Sequence, residues 1–171
     1  MNRRDFYRLG SLALGGAITA LLAIPGVKFV LDPLNKNSKA GGMRPLTTLS
    51  QLKVGEPQAF PIVEERFDAW VKFPREPVGS VWLVRQKDDT VVAFTAECPH
   101  LGCAIGLAAD KKGFFCPCHQ GKFRFDGSAI NEIPPRGMDT LEIALSTDDD
   151  PRVSVKFEHF RTQIKERKPL A

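Results

Sequence analysis

Cysteine is scarce in this chain, with four residues in 171. That is too few for a scaffold held together by disulfides. Long runs of one charge are missing as well. The net charge of +4 is small and scattered, and no basic run stands beside stacking aromatics, which argues against nucleic-acid binding. No internal repeat is visible. After Arg44 no long helical period appears, so a helical bundle is excluded for the larger part of the chain. One stretch lacks charge altogether, the nineteen residues from Leu9 to Val27.

That uncharged stretch lies in "MNRRDFYRLGSLALGGAITALLAIPGVKFVLDPL". As a helix it spans about 28 Å, close to the hydrocarbon thickness of a bilayer. Pro25 is expected to weaken the last turn or mark the helix end. No small-x-small cleavage site closes the apolar run, so an uncleaved anchor is favoured over a removed signal. Arg3 and Arg4, followed by Asp5 and Phe6, resemble a twin-arginine export signal. On this reading residues 1–34 are a signal-anchor and transmembrane helix, with Arg3, Arg4 and Arg8 on the cytoplasmic side. The rest then lies on the extracytoplasmic, periplasmic side of the cell membrane, as the head of a single-pass protein. Residues 35–45, "NKNSKAGGMRP", are polar and contain adjacent glycines, and read as a flexible hinge.

The head, residues 46–160, reads as mainly β, a small antiparallel domain. Short segments rich in Val, Phe, Ile and Trp follow one another: "AFPIVEE", "DAWVKF", "SVWLVRQ", "TVVAFTAE", "GFFCP", "KFRF", "LEIAL" and "RVSVKFEHF". Several alternate apolar and polar residues with period two. Turn material such as "KDD", "ADKKG" and "FDGS" separates them. Residues 161–171 read as a polar, basic surface tail with room for a short helical piece.

All four cysteines and two of the three histidines stand in two short boxes, "CPHLGC" over 98–103 and "CPCHQG" over 116–121. Written together they give Cys98-x-His100, then Cys116-x-x-His119, with Cys103 and Cys118 left over. A zinc site accepts two thiolates and two imidazoles, but usually as C-x-x-C followed by H-x₃₋₅-H, and it leaves two cysteines unexplained. A thioredoxin-like site needs C-x-x-C before a helix, and neither box supplies it. A two-iron cluster explains more, with one iron taking two thiolates and the other two imidazoles. Gly102, Gly106, Gly121, Pro99 and Pro117 suit tight loops approaching a bulky inorganic core.

The two boxes resemble those of Rieske iron–sulfur proteins, in the variety with a loop-bridging disulfide. That variety is found in the Rieske subunit of cytochrome bc-type quinol:cytochrome c oxidoreductases. The arginine pair, "KFVLDPL" after the apolar run, a Gly-containing hinge and a β head belong to the same resemblance. "IPPRGMDTL", 133–141, resembles the proline-rich loop that covers the cluster, although it departs from the commoner Gly-Pro-Ala-Pro form.

The resemblance implies one 2Fe-2S cluster, bound within about 96–136, with Cys98 and Cys116 on the buried iron and His100 and His119 on the outer one. It implies a disulfide between Cys103 and Cys118, cover from Pro134 and Pro135, and a docking role for Leu101. Ala40, Gly41 and Gly42 become the candidate hinge. The implied function is respiratory electron transport: quinol oxidation at the cluster, with His119 contacting the quinol, and delivery of the electron to a cytochrome c. A cytochrome b subunit is the implied membrane partner. His159 matches no ligand of the family.

Replacing two thiolates by two neutral imidazoles leaves the oxidised cluster less negative and raises its potential. Higher-potential relatives carry a serine and a tyrosine where Gly121 and Phe123 stand. The absence of both hydroxyls implies a low potential, suited to menaquinol. A soluble Rieske ferredoxin or a ring-hydroxylating oxygenase would need neither the anchor nor the extra cysteine pair. The alternative kept beside the quinol reading is an exported Rieske small subunit of another oxidoreductase, such as arsenite oxidase.

Overall fold

The computed structural model describes residues 2–35, 42–68 and 71–170. Helix α1 covers Arg3–Asn35. Asn2 starts it: its side-chain oxygen accepts the Asp5 N–H at 2.9 Å, and Asp5 adds negative charge to the first turn. The helix is apolar on every side, with Leu12, Leu14, Leu21, Leu22 and Val30 all exposed. Such a helix has no face to bury in a soluble core and is long enough to cross a bilayer. The hydroxyl of Thr19 donates to the Gly15 carbonyl at 2.8 Å, so it asks nothing of its surroundings. Pro25 does not end the helix, which continues to Asn35. Proline removes one backbone hydrogen bond, and the remaining ladder carries the helix past it.

The head contains nine strands among the described residues: β1 Met43–Thr48, β2 Gln58–Asp68, β3 Val71–Arg85, β4 Val91–Thr95, β5 Gly106–Leu107, β6 Phe114–Cys116, β7 Gly121–Phe123, β8 Thr140–Leu145 and β9 Arg152–Lys156. Six form one sheet in the order β1-β9-β8-β4-β3-β2, and β5-β6-β7 form a second, smaller one. The described ladders are antiparallel. The small sheet and both Cys–His boxes fall between β4 and β8 in the chain.

Period-two alternation in β3 and β4 produces two cores from one wall. Val81 and Leu83 join Val91, Ala93, Leu141, Val153 and Val155 on one face. Trp82 and Val84 join Phe94, Phe114, Phe123, Cys98 and Cys116 on the other. The register Trp82↔Phe94 and Leu83↔Ala93 keeps the two sets apart. Both faces are buried, so these strands read as nearly continuous apolar runs. The buried Trp82 indole donates to the Ile105 carbonyl at 2.9 Å and ties this wall to the loop after the first box.

Two segments differ from expectation. Met43, Arg44 and Pro45, read as the end of the hinge, belong to β1 and pair with β9, Met43 facing Lys156 and Pro45 facing Ser154. The register shifts between Pro45 and Thr47, where proline has no N–H to give the ladder. Of the trio Ala40, Gly41 and Gly42 named as the candidate hinge, only Gly42 lies within the described chain; Ala40 and Gly41 lie outside it, as do Ala69 and Trp70 of the "DAWVKF" segment. Residues 161–170 contain no helix and are not a free tail. Arg161 N–H donates to Lys168 O at 2.9 Å and Leu170 N–H to His159 O at 2.8 Å, so the segment doubles back on itself and onto the head.

Candidate metal centre

The first box is a closed loop. An isolated bridge pairs Glu97 with Ala104. Inside it the Cys98 N–H donates to Cys103 O, and the Gly102 N–H returns to Cys98 O, both at 2.8 Å. Gly102 has φ +76, which a side chain would resist. Pro99 is fully buried.

The second box is the turn between β6 and β7, with Cys116 paired across to Gly121. Gln120 takes φ +60 there. Asn131 holds this strained corner from outside: its amide donates to Gln120 O at 2.8 Å, and its carbonyl oxygen accepts Lys122 N–H at 3.1 Å. Asn131 did not stand out in the sequence. It lies eleven residues from its partner, outside the box, and carries no motif.

The loops are joined by a disulfide between Cys103 and Cys118, with Cα atoms 6.5 Å apart. Cys98 and Cys116 are free thiols, each 2% exposed. Burial pushes the Cys98 thiol up to about 11; the backbone at His100 opposes this shift and neighbouring Cys116 reinforces it. The His100 and His119 rings meet edge to face, with centroids 4.8 Å apart. His100 is half-buried and His119 exposed. Thus the two loops bring the buried Cys98 beside Cys116 and the His100 ring beside the His119 ring.

The sulfurs of Cys103, Cys116 and Cys118 also lie within 4.8 Å of one another. They do not make a three-thiolate site, because two of them are bonded to each other. The donors left are two thiols and two imidazoles, the set a Rieske centre takes, two of each. A Cβ built at Gly121 would lie 3.6 Å from Cys116 Cβ and 3.8 Å from Cys98 Sγ, so this glycine faces both free cysteines. Phe123 is 0% exposed, packs in the same core and approaches that Cβ position to 3.6 Å.

Around the site, Leu101 is 45% exposed at the outer end of the first loop. Pro134 is buried and Pro135 half-buried. Two more partners went unrecognised in the sequence. Arg136, inside the quoted "IPPRGMDTL", forks onto Asp139 with contacts of 2.8 and 2.7 Å. His159 binds the Glu97 carboxylate through Nδ1.

The Rieske 2Fe-2S domain model matches residues 43–142. The chain is 33% identical over 138 residues to the menaquinol:cytochrome c reductase iron–sulfur subunit of Bacillus subtilis (strain 168), covering 79% of this chain and 80% of that one. It is 28% identical over 138 residues to the protein of the same description from Geobacillus thermodenitrificans, with the same coverage of 79% and 80%. Among solved structures, the cyanobacterial plasma membrane Rieske protein PetC3 from Synechocystis PCC 6803 overlays with a TM-score of 0.39 at 25% identity, over 48% of this chain and 81% of that one.

Proposed function

This chain belongs to the Rieske 2Fe-2S domain family, and on that premise we propose that it is the membrane-anchored subunit that oxidises menaquinol and passes the electron to a cytochrome c. Its cofactor is one Rieske-type 2Fe-2S cluster. The observation that carries the reading is the donor set: two buried free thiols and two touching imidazoles on loops joined by a disulfide. Cys98 and Cys116 would hold one iron, and His100 and His119 the other. When bound, the cluster supplies a one-electron acceptor whose potential is raised by its two imidazole ligands.

The side chains divide the remaining work by exposure. His119 is the more exposed histidine and is placed to hydrogen-bond a quinol hydroxyl and hold its proton. Leu101, next to His100 in the chain, offers an exposed apolar contact suited to a cytochrome b-type membrane subunit. The buried Cys98 and Cys116 keep water from the inner half of the site. Pro134 and Pro135 are assigned to the loop that covers the cluster, and Gly121 and Phe123, without hydroxyls, to a low potential.

Helix α1 is apolar enough to hold the protein in the cell membrane, and the positive-inside rule places Arg3, Arg4 and Arg8 on the cytoplasmic side. The head then lies outside, in an oxidising compartment where the Cys103–Cys118 bond persists. We assign 1–34 to the anchor, the stretch around Ala40, Gly41 and Gly42 to a hinge, and 46–160 to the cluster-bearing head. The test is menaquinol-to-cytochrome c turnover by the purified membrane complex. His119→Ala abolishes it on this reading; undiminished turnover would remove His119 from the reaction.

A further inference from the structure

The segment after Phe160 makes contacts that quinol oxidation, as described so far, does not use. Gln163 N–H donates to the Pro99 carbonyl at 2.9 Å. A Cβ built at Gly102 would lie 3.9 Å from Thr162 Cγ2, so the same segment runs beside the far end of the first loop. Gln163 has φ +64, an uncommon conformation for a residue with a side chain. Such a conformation persists only where surrounding bonds over-determine it.

Those bonds come largely from one residue. Arg136 Nη1 donates to Ile164 O at 2.6 Å, and Nη2 donates to Arg161 O at 2.9 Å. The rest of the fork is fixed on Asp139, Nε to Oδ1 at 2.8 Å and Nη2 to Oδ2 at 2.7 Å. The Arg136 and Asp139 side chains are 10% and 3% exposed, so the fork is held in a largely dry site. Carbonyls on both sides of Gln163 are therefore fastened, and its N–H is aimed at the first box.

We propose that residues 161–164 form a clip that sets the orientation of the first Cys–His loop, with Arg136 as the positioning residue that holds the clip. The link is covalent geometry: Pro99 C=O and His100 N belong to one planar peptide unit, so fixing that oxygen fixes the plane from which His100 departs. The inference rests on the reading of His100 as a cluster ligand. Lysine at 136 keeps the charge opposite Asp139 but lacks the planar fork that reaches two carbonyls at the same time.

The test uses the membrane-bound protein in four versions beside wild type: Arg136→Lys, a chain ended after Phe160, that shortened chain with Arg136→Lys, and Gln163→Gly. The readouts are the electron paramagnetic resonance g values, the midpoint potential, and the rate of cluster loss to a chelator. Gln163→Gly keeps the N–H and accepts positive φ, so its spectrum matches wild type. Arg136→Lys and the shortened chain both shift and broaden the g values and displace the potential. Both lose cluster about threefold to tenfold faster, the effect of roughly one hydrogen bond. In the shortened chain Arg136→Lys adds nothing further to the spectrum, because the clip it held is gone. If the shortened chain fails to accumulate, Arg136→Lys alone decides. Unchanged g values and potential in Arg136→Lys, with only a lower melting temperature, would reduce Arg136 to a structural residue and overturn the proposal. A wild-type protein with no Rieske signal would overturn the ligand reading itself, and the clip with it.

Discussion

His159 Nδ1 lies 2.7 Å from the Glu97 carboxylate, joining the end of the last strand region to the residue just before Cys98. The imidazole also packs edge-on against Phe157, with centroids 4.9 Å apart. This third histidine therefore has a partner and a packing surface of its own. Both members of the pair are solvent-accessible, so the contact contributes at most about 1 kcal/mol. His159→Ala should lower the melting temperature slightly and leave the cluster spectrum intact. Loss of the spectrum would make His159 part of the metal site.

The four cysteines should divide into two classes. Cys98→Ser or Cys116→Ser removes a buried donor and should abolish the cluster. Cys103→Ala with Cys118→Ala removes only the bond between the loops and should leave some cluster, with lower potential and weaker stability. Electron paramagnetic resonance of isolated membranes checks this. Equal loss in both classes would undo the division.

Gly127 supports the site from below. It has φ +82, and a Cβ there would stand 2.4 Å from Phe94, whose ring packs against Phe114 next to the second box. Gly127 also accepts the Met138 N–H at 2.7 Å, linking the turn after β7 to the proline-bearing segment. Gly127→Ala combines backbone strain with a core clash and should destabilise the head by about 2–4 kcal/mol. Denaturant unfolding measures it; a change below about 0.5 kcal/mol would mean that Phe94 can move freely aside.

Head motion is the implied use of the stretch before β1. A Cβ at Gly42 would meet nothing within 4 Å, so substitution there does not strain the head. Replacing Gly41 and Gly42 together with proline should slow menaquinol-to-cytochrome turnover and leave the cluster spectrum unchanged. Unchanged turnover would place the hinge elsewhere.

The legible parts were those carried by short-range pattern. Alternation in "SVWLVRQ" and "TVVAFTAE" marks the strands, and its two phases correspond to the two cores that share Val81 to Val84. The boxes were legible because donors of one chemistry cluster at short spacing, and the implied Cys103–Cys118 bond is present in the structure. What escaped depends on distant partners. β1 starts within polar, glycine-bearing text and owes its existence to pairing with β9, more than a hundred residues later. The fold of 161–170 depends on Arg136 and Pro99, neither of them local. Pro25 misled because a local breaker counts for less inside a long, uniformly apolar helix.

On the proposed function, the two boxes hold a Rieske cluster tuned for a low-potential quinol. A hydroxyl donating toward a ligand sulfur stabilises the reduced cluster's extra charge and raises the potential. Position 121 can take one: its Cβ would make ordinary contacts with Cys116 Cβ at 3.6 Å and Cys98 Sγ at 3.8 Å. At 123 a tyrosine hydroxyl would extend from a fully buried ring in the same core. The most direct measurement is a redox titration of the membrane-bound protein, followed by electron paramagnetic resonance, for wild type, Gly121→Ser and Phe123→Tyr. The wild-type potential should fall in the lower part of the Rieske range of roughly −150 to +300 mV. Each variant should raise it, and the two together by more. A wild-type potential near the top of that range, or no rise in either variant, would contradict the menaquinol assignment; no Rieske signal at all would contradict the cluster itself.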